Sequence, residues 1–306
     1  MSHVLTTIAP VFLIIGLGAV LKAKTNFDEQ FWRAIERLTF YGLFPSLLFV
    51  KVAGADVDWS TALPVSAAIV CGVAAAGLVG WPLKALPGVG KEKFVAMYQG
   101  GFRVNTYVGI AVVLGSFDDS AAGPLSIAIL AMSLAINPFG AWAHLHWLET
   151  PGRRKGMMGL FVDCLRNPLI FACLAGLALN MTGIGLPPIL GPTLELLSRA
   201  ALPMGLMAVG AGLSLSSVRG DSLPAALSCI VKLVVMPAAT YVAGRWLGLE
   251  GAALAVAVIF GGLPTSSTSY VISRTMGSDP QLMAAIITLS HLAAIVSLPV
   301  LVTLLH

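Results

Sequence analysis

Three ionisable side chains fall about ten residues into long apolar segments: Arg103, Lys232 and His291. An α-helix rises about 1.5 Å per residue and the hydrocarbon core of a bilayer is about 30 Å thick, so that depth is the middle of a membrane. A charge there is costly and by default marks function. No carboxylate is expected at equal depth, since Glu195 and Asp163 fall nearer the ends of their segments. Cationic groups without matching anions suit a negatively charged guest, and an arginine can grip a carboxylate through two parallel hydrogen bonds. A proton coupled through His291 or Lys232 is one way to handle the transported charge, and electrogenic efflux without a coupled ion is another.

The segments that hold these residues carry punctuation. Gly100-Gly101-Phe102-Arg103-Val104-Asn105 interrupts one apolar run and Gly261-Gly262-Leu263-Pro264-Thr265-Ser266 another. Glycine and proline loosen a helix, and the freed backbone groups must find partners. Within a bilayer such breaks survive only inside protein or beside water, and a matching pair of them points to a substrate site. Gly100, Gly101, Gly261, Gly262 and Pro264 are therefore read as the helix breaks. Pro264 suits the first position of the helix that follows. Asn105, Thr106, Thr265, Ser266 and Ser267 are placed to cap the new helix ends or to bond a ligand, where N–H donors and the helix dipole favour an anion.

The elements that must hold these groups follow from composition. The chain has 306 residues, 57% hydrophobic and only 10% charged, against about 25% charged in soluble domains, so it is a polytopic membrane protein. Roughly ten apolar segments reach spanning length, the first read as a retained span rather than a cleaved leader. Alternate loops carry the positive charge, including Lys22, Lys24, Arg33 and Arg37, then Lys84, Lys91 and Lys93, then Arg153, Arg154, Lys155 and Arg166. The positive-inside rule places these loops in the cytoplasm and both termini outside. The four cysteines, Cys71, Cys164, Cys173 and Cys229, lie in apolar spans and read as small buried hydrophobes. No metal or other cofactor is implied, and the scattered basic residues are not a nucleic-acid signal.

The two halves share an order of punctuation. Pro10, Pro45, Pro64, Gly100-Gly101 and Pro138 recur, nearly in register, as Pro168, Pro203, Pro224, Gly261-Gly262 and Pro299. An odd number of spans per copy inserts the second copy upside down, which supplies two related conformations for alternating access. The expected architecture is all-α: about ten transmembrane helices in two inverted five-helix repeats, residues 1–143 and 161–306, joined by a cytoplasmic linker at 144–160, with helices four and nine broken and crossing.

Each site residue also has a structural reading. Arg103 could bond carbonyls freed by its own break, Lys232 could reach toward an interface, His291 could join two helices, and the hydroxyls at 265–269 could be interhelical glue. Glu195 and Arg199, four apart, read as a local ion pair.

The same residues carry a resemblance. Leu38 to Phe49 with its central Pro45, Phe102-Arg103-Val104-Asn105-Thr106 with Gly109, Asn167-Pro168-Leu169, Leu202-Pro203-Met204, and Leu263-Pro264-Thr265 through Val271 are similar, in order and spacing, to motifs of the auxin efflux carrier family. The resemblance covers nearly the whole chain and looks like that of a bacterial member. It implies a scaffold of spans one, two, six and seven, a transport domain of spans three to five and eight to ten, an elevator-type motion, and a homodimer formed through the scaffold. It implies organic anions as substrates, auxin in plants and malonate or malate in bacteria, and hence a bacterial inner-membrane location. Arg103 stands where the plant carriers are expected to have a proline, and their long cytoplasmic loop is absent.

The function expected is secondary transport of a small carboxylate. A channel or membrane sensor is the alternative. An embedded enzyme is disfavoured, because the chain has no HExxH, no GxSxG and no midplane aspartate pair.

Overall fold

A computed structural model describes residues 2–55, 59–148 and 167–305. Cys164, Asp163, Asp56, Asp58, Arg153, Arg154, Lys155, Arg166, most of the expected linker and the start of the expected sixth span lie outside the described residues. The described chain is helical, with no strand among the described residues.

In order, the helices are α1 Ser2–Lys24, α2 Glu29–Leu38, α3 Phe44–Ala53, α4 Ala62–Gly80, α5 Lys91–Gly100, α6 Thr106–Ser116 and α7 Ala122–Trp147. They continue as α8 Pro168–Thr182, α9 Leu190–Ala211, α10 Ser222–Ile230, α11 Met236–Trp246, α12 Gly251–Gly261, α13 Thr268–Met276 and α14 Pro280–Leu305. Five stretches among the described residues are long and apolar enough to cross a membrane: Ala62–Ala85, Ala122–His144, Leu190–Ala211, Ser222–Trp246 and Pro280–Leu305. Thr106–Ser116, Pro168–Thr182 and Gly251–Gly261 are shorter apolar helices.

Two pairs of successive helices are continuous. A π turn over Thr39–Leu43 joins α2 to α3, and another over Val231–Val235 joins α10 to α11. Each lies just before a proline, Pro45 or Pro237. Proline cannot donate to the preceding turn and its ring crowds the carbonyl four residues back, and the wider turn gives that ring room.

Packing is close where small residues meet. A side chain at Gly210 would strike the backbone of Ile15, and one at Gly18 the backbone of Met207, so α1 and α9 touch backbone to backbone. Likewise Gly72 of α4 faces Thr240 of α11. α3 packs on α8, and α4 on both α7 and α11. Cys173 and Cys229 are buried as expected, but Cys71 lies on the exposed face of α4. Glu195 and Arg199 form the local pair, at 3.4 Å on the surface.

Candidate functional site

The two real breaks lie at 101–105, between α5 and α6, and at 262–267, between α12 and α13. They are bonded to each other. The Asn105 N–H donates to the Pro264 carbonyl at 2.8 Å. The Thr265 hydroxyl donates to the Gly100 carbonyl at 3.0 Å. α14 clasps the junction from one side: Ser290 Oγ accepts from the Thr265 N–H at 3.1 Å, and His291 Nε2 accepts from Asn105 Nδ2 at 3.1 Å. His291 Nδ1 donates to the Ile287 carbonyl at 2.7 Å, so a neutral imidazole uses both ring nitrogens. Backbone groups released by each break are thus taken up by the other, as an apolar surround requires.

The glycines serve this junction differently from the sequence expectation. None of Gly100, Gly101, Gly261 and Gly262 has the positive φ that demands glycine. They are small because partners approach closely. A Cβ on Gly100 would sit 2.8 Å from Ile286 and Ser228 side-chain atoms, and one on Gly261 3.0 Å from the Pro237 backbone. Pro264 is also not at a helix start. It lies in the extended stretch, and α13 begins only at Thr268. At the other break Asn105 caps α6 as expected, its Oδ1 accepting from the N–H groups of Tyr107 and Val108. Such a cap contributes about 1 kcal/mol.

Beside the junction is a cavity of about 100 Å³. Of the expected site residues, Arg103, Asn105, Thr106, Ser266 and Ser267 line it, whereas Pro264, Thr265 and Lys232 do not. Lys232, fully buried, donates from Nζ to the Gly261 carbonyl at 2.6 Å and lies 3.2 Å from Met236 Sδ. It neutralises the negative end of α12, where carbonyls lack intrahelical partners.

Arg103, 6% exposed, is held on one edge. Its Nε donates to Gln99 Oε1 at 2.7 Å, one turn back on α5. Gln99 Nε2 in turn meets the Gly140 carbonyl at 3.0 Å and the His144 ring, and His144 Nε2 lies 3.3 Å from Ser278 Oγ. Gly140 leaves space for the guanidinium: a Cβ there would be 2.8 Å from Nη2. The arginine is therefore aimed by Gln99 and by the absence of a side chain at 140, and does not chiefly serve its own break.

Glu36, Phe40, Tyr107, Ser133, Asn137 and Asn167 also line the cavity. Glu36 corrects the expectation that the interior is cationic without an anion. Glu36 lies near the start of its apolar segment, where depth along the chain gives no sign that it shares a cavity with Arg103. Tyr107 and Ser267 are lining residues whose hydroxyl oxygens are buried with no hydrogen-bond partner. Buried polar atoms are rarely left so unless something else satisfies them. Among the described residues no group of three His, Cys, Asp or Glu side chains is placed to hold a metal ion.

Apolar helices, paired breaks and a cavity beside their junction fit one class, a multi-pass membrane transport protein. The profile of the membrane transport protein family matches residues 156–302. The chain is 24% identical over 299 residues to the Escherichia coli transporter YfdV, covering 95% of this chain and 94% of that one. It is 23% identical to a transporter of Methanothermobacter thermautotrophicus, covering 96% of this chain and 95% of the relative. Auxin efflux carrier component 5 of Arabidopsis thaliana is 31% identical over 143 residues, 44% of this chain and 40% of the carrier. These similarities, to YfdV-type transporters over nearly the whole chain and to an auxin efflux carrier over part of it, are consistent with the auxin efflux carrier family.

Proposed function

We propose that this chain is a secondary transporter of a small organic carboxylate, working by alternating access of the elevator type. The observation that carries the reading is the cavity itself. A guanidinium steered by Gln99 shares it with two buried hydroxyls that have no partner, beside two helix breaks. A carboxylate would take the guanidinium's charge-assisted bonds and accept from the Tyr107 and Ser267 hydroxyls. A cavity of about 100 Å³ suits a small anion.

The ten-span inverted repeat is part of the same proposal. Its support is that α1 packs on α9 as α3 packs on α8, the pairing expected if spans one and two correspond to six and seven. α4 also packs on α7 much as α10 packs on α14. On that scheme the scaffold holds spans one, two, six and seven, and a homodimer forms through it. With the positive loops inside a bacterial inner membrane and both termini outside, Glu36, Asn167 and Val209 lie on the cytoplasmic side of the breaks. The cavity then belongs to the inward-facing state.

The test is uptake of labelled malonate and malate by proteoliposomes. A carrier gives saturable flux that is stimulated by substrate on the opposite side, and Arg103→Ala abolishes it. Flux that does not saturate would favour a channel. The absence of any flux, with Arg103→Ala binding all carboxylates as the wild type does, would overturn the reading.

A further inference from the structure

Glu36 is the feature of the cavity that anion transport leaves unexplained. It is half-buried on α2 and lines the same small space as Arg103. With both ionised the empty cavity is neutral. Adding a monocarboxylate guest then leaves one uncompensated negative charge, and a dianion two, in a partly buried site where charge is expensive. Two carboxylates sharing such a space do not both ionise readily, and one takes a proton. The guest is committed to the guanidinium, so Glu36 is the group left to take it.

Among the described residues, the surroundings contain no other group for this role. The charged or titratable ones lining the cavity are Glu36, Arg103 and Tyr107. Arginine keeps its proton, and a phenol binds no further one. His291 does not line the cavity, and its ring nitrogens are engaged by Ile287 and Asn105. Lys232 is held on Gly261. On α9, which packs against α2, Glu195 and Arg199 are exposed and bonded to each other. On α2 itself, Arg33 and Arg37 are exposed. Glu36 retains partial solvent contact, so a proton can reach it from water.

We propose that the cavity binds a small carboxylate together with one proton, and that the proton resides on Glu36. The proton comes from solvent: Glu36 carboxylate plus H⁺ gives the carboxylic acid as the anion enters, and release reverses both steps. The neutral acid can also donate a hydrogen bond to the anion. This inference rests on the carboxylate reading above.

The test is isothermal titration of purified protein with oxalate, malonate and malate, and with glycine as a zwitterionic probe. Titrations run from about pH 5 to about pH 8 in buffers of differing ionisation enthalpy, which yields the proton count. The wild type is expected to take up close to one proton more per anion bound than Glu36→Gln, at pH values above the Glu36 pKa. Its affinity should fall up to about tenfold per pH unit relative to that variant, which cancels the titration of the probes themselves. Glu36→Gln should bind with the wild type's low-pH affinity, and Glu36→Asp should keep the coupling, giving a second readout if the glutamine variant folds poorly. Equal proton counts in wild type and Glu36→Gln overturn the inference while leaving carboxylate binding intact. Glycine binding that Glu36→Gln abolishes also overturns it, because Glu36 would then be pairing with an ammonium. A wild type that binds none of the three dianions overturns the carboxylate reading, and this inference with it.

Discussion

Asn105 and Pro264, far apart in sequence, are joined by a single backbone hydrogen bond of 2.8 Å. The relationship matters because it makes the two interrupted helices one object. The break at 101–105 supplies a donor, the break at 262–267 an acceptor, and the Thr265 hydroxyl returns the exchange to Gly100. Neither helix could be unwound here alone without orphaned backbone groups in an apolar setting.

Thr265→Val is predicted to loosen this junction. The β-branched shape is kept, while the Gly100 carbonyl loses its hydroxyl donor in a fully buried place. Leaving such a group unsatisfied costs about 1–3 kcal/mol. A lower melting temperature in detergent is expected, with Thr265→Ser close to wild type. Equal melting temperatures for all three proteins would contradict the account.

Gln99→Leu is predicted to spoil anion binding without touching the cavity, since Gln99 does not line it. The Nε of Arg103 would lose its acceptor and the guanidinium its orientation. A well-aligned charge-assisted bond is worth about 1.5–3 kcal/mol, so roughly a tenfold or greater loss of anion affinity is expected by calorimetry. Gly140→Ala should act in the same direction by pushing Nη2. Stabilisation by ligand, read as a rise in melting temperature with malonate, should shrink in both variants.

How much of this could be read from the chain depends on which interactions are local. Arg103 was legible because a guanidinium in the middle of an apolar run has no ordinary reason to be there. Asn105 was legible as a cap because capping is set by neighbours two and three residues on. Pro264 lies one turn ahead of the helix start at Thr268, since the stretch around it is fixed by bonds to Asn105 and Ser290 from elsewhere in the chain. The glycine pairs pointed to the right places for a reason that sequence hides, namely contact with Ile286, Pro237 and Leu301. Glu36 and the Gln99–His144 contact were not legible, because depth along a span says nothing about which side chains meet across a cavity. Lys232 was legible as a buried cation, but its partner, the Gly261 carbonyl, is a tertiary fact.

At the surface, Lys93 and Asp221 form an ion pair between the start of α5 and the N-cap position of α10. The hydrogen bond to Asp221, and the nearby charges of Asp221 and Asp279, hold the Lys93 ammonium above its ordinary range. A raised lysine favours the folded state below the unfolded-state value of about 10.4, and that advantage disappears as pH rises through the folded value. The melting-temperature gap between wild type and Asp221→Asn should therefore be level up to about pH 10 and close above it. It should also narrow in high salt. A gap that widens with alkaline pH would refute the sign.

Lys232→Met separates the two roles open to a buried lysine. If the ammonium were an anion ligand, methionine would cost binding. The structure instead gives its nitrogen to Gly261 at 2.6 Å, away from the cavity lining. Methionine matches the stem but leaves the end of α12 uncompensated. The expected outcome is a protein destabilised by about 1–3 kcal/mol, read as a lower melting temperature. Anion affinity, measured below that temperature, should stay within about twofold of wild type, because Arg103 and the unpartnered hydroxyls are unchanged. A loss of affinity comparable to that of Arg103→Ala, at unchanged stability, would return Lys232 to the binding site.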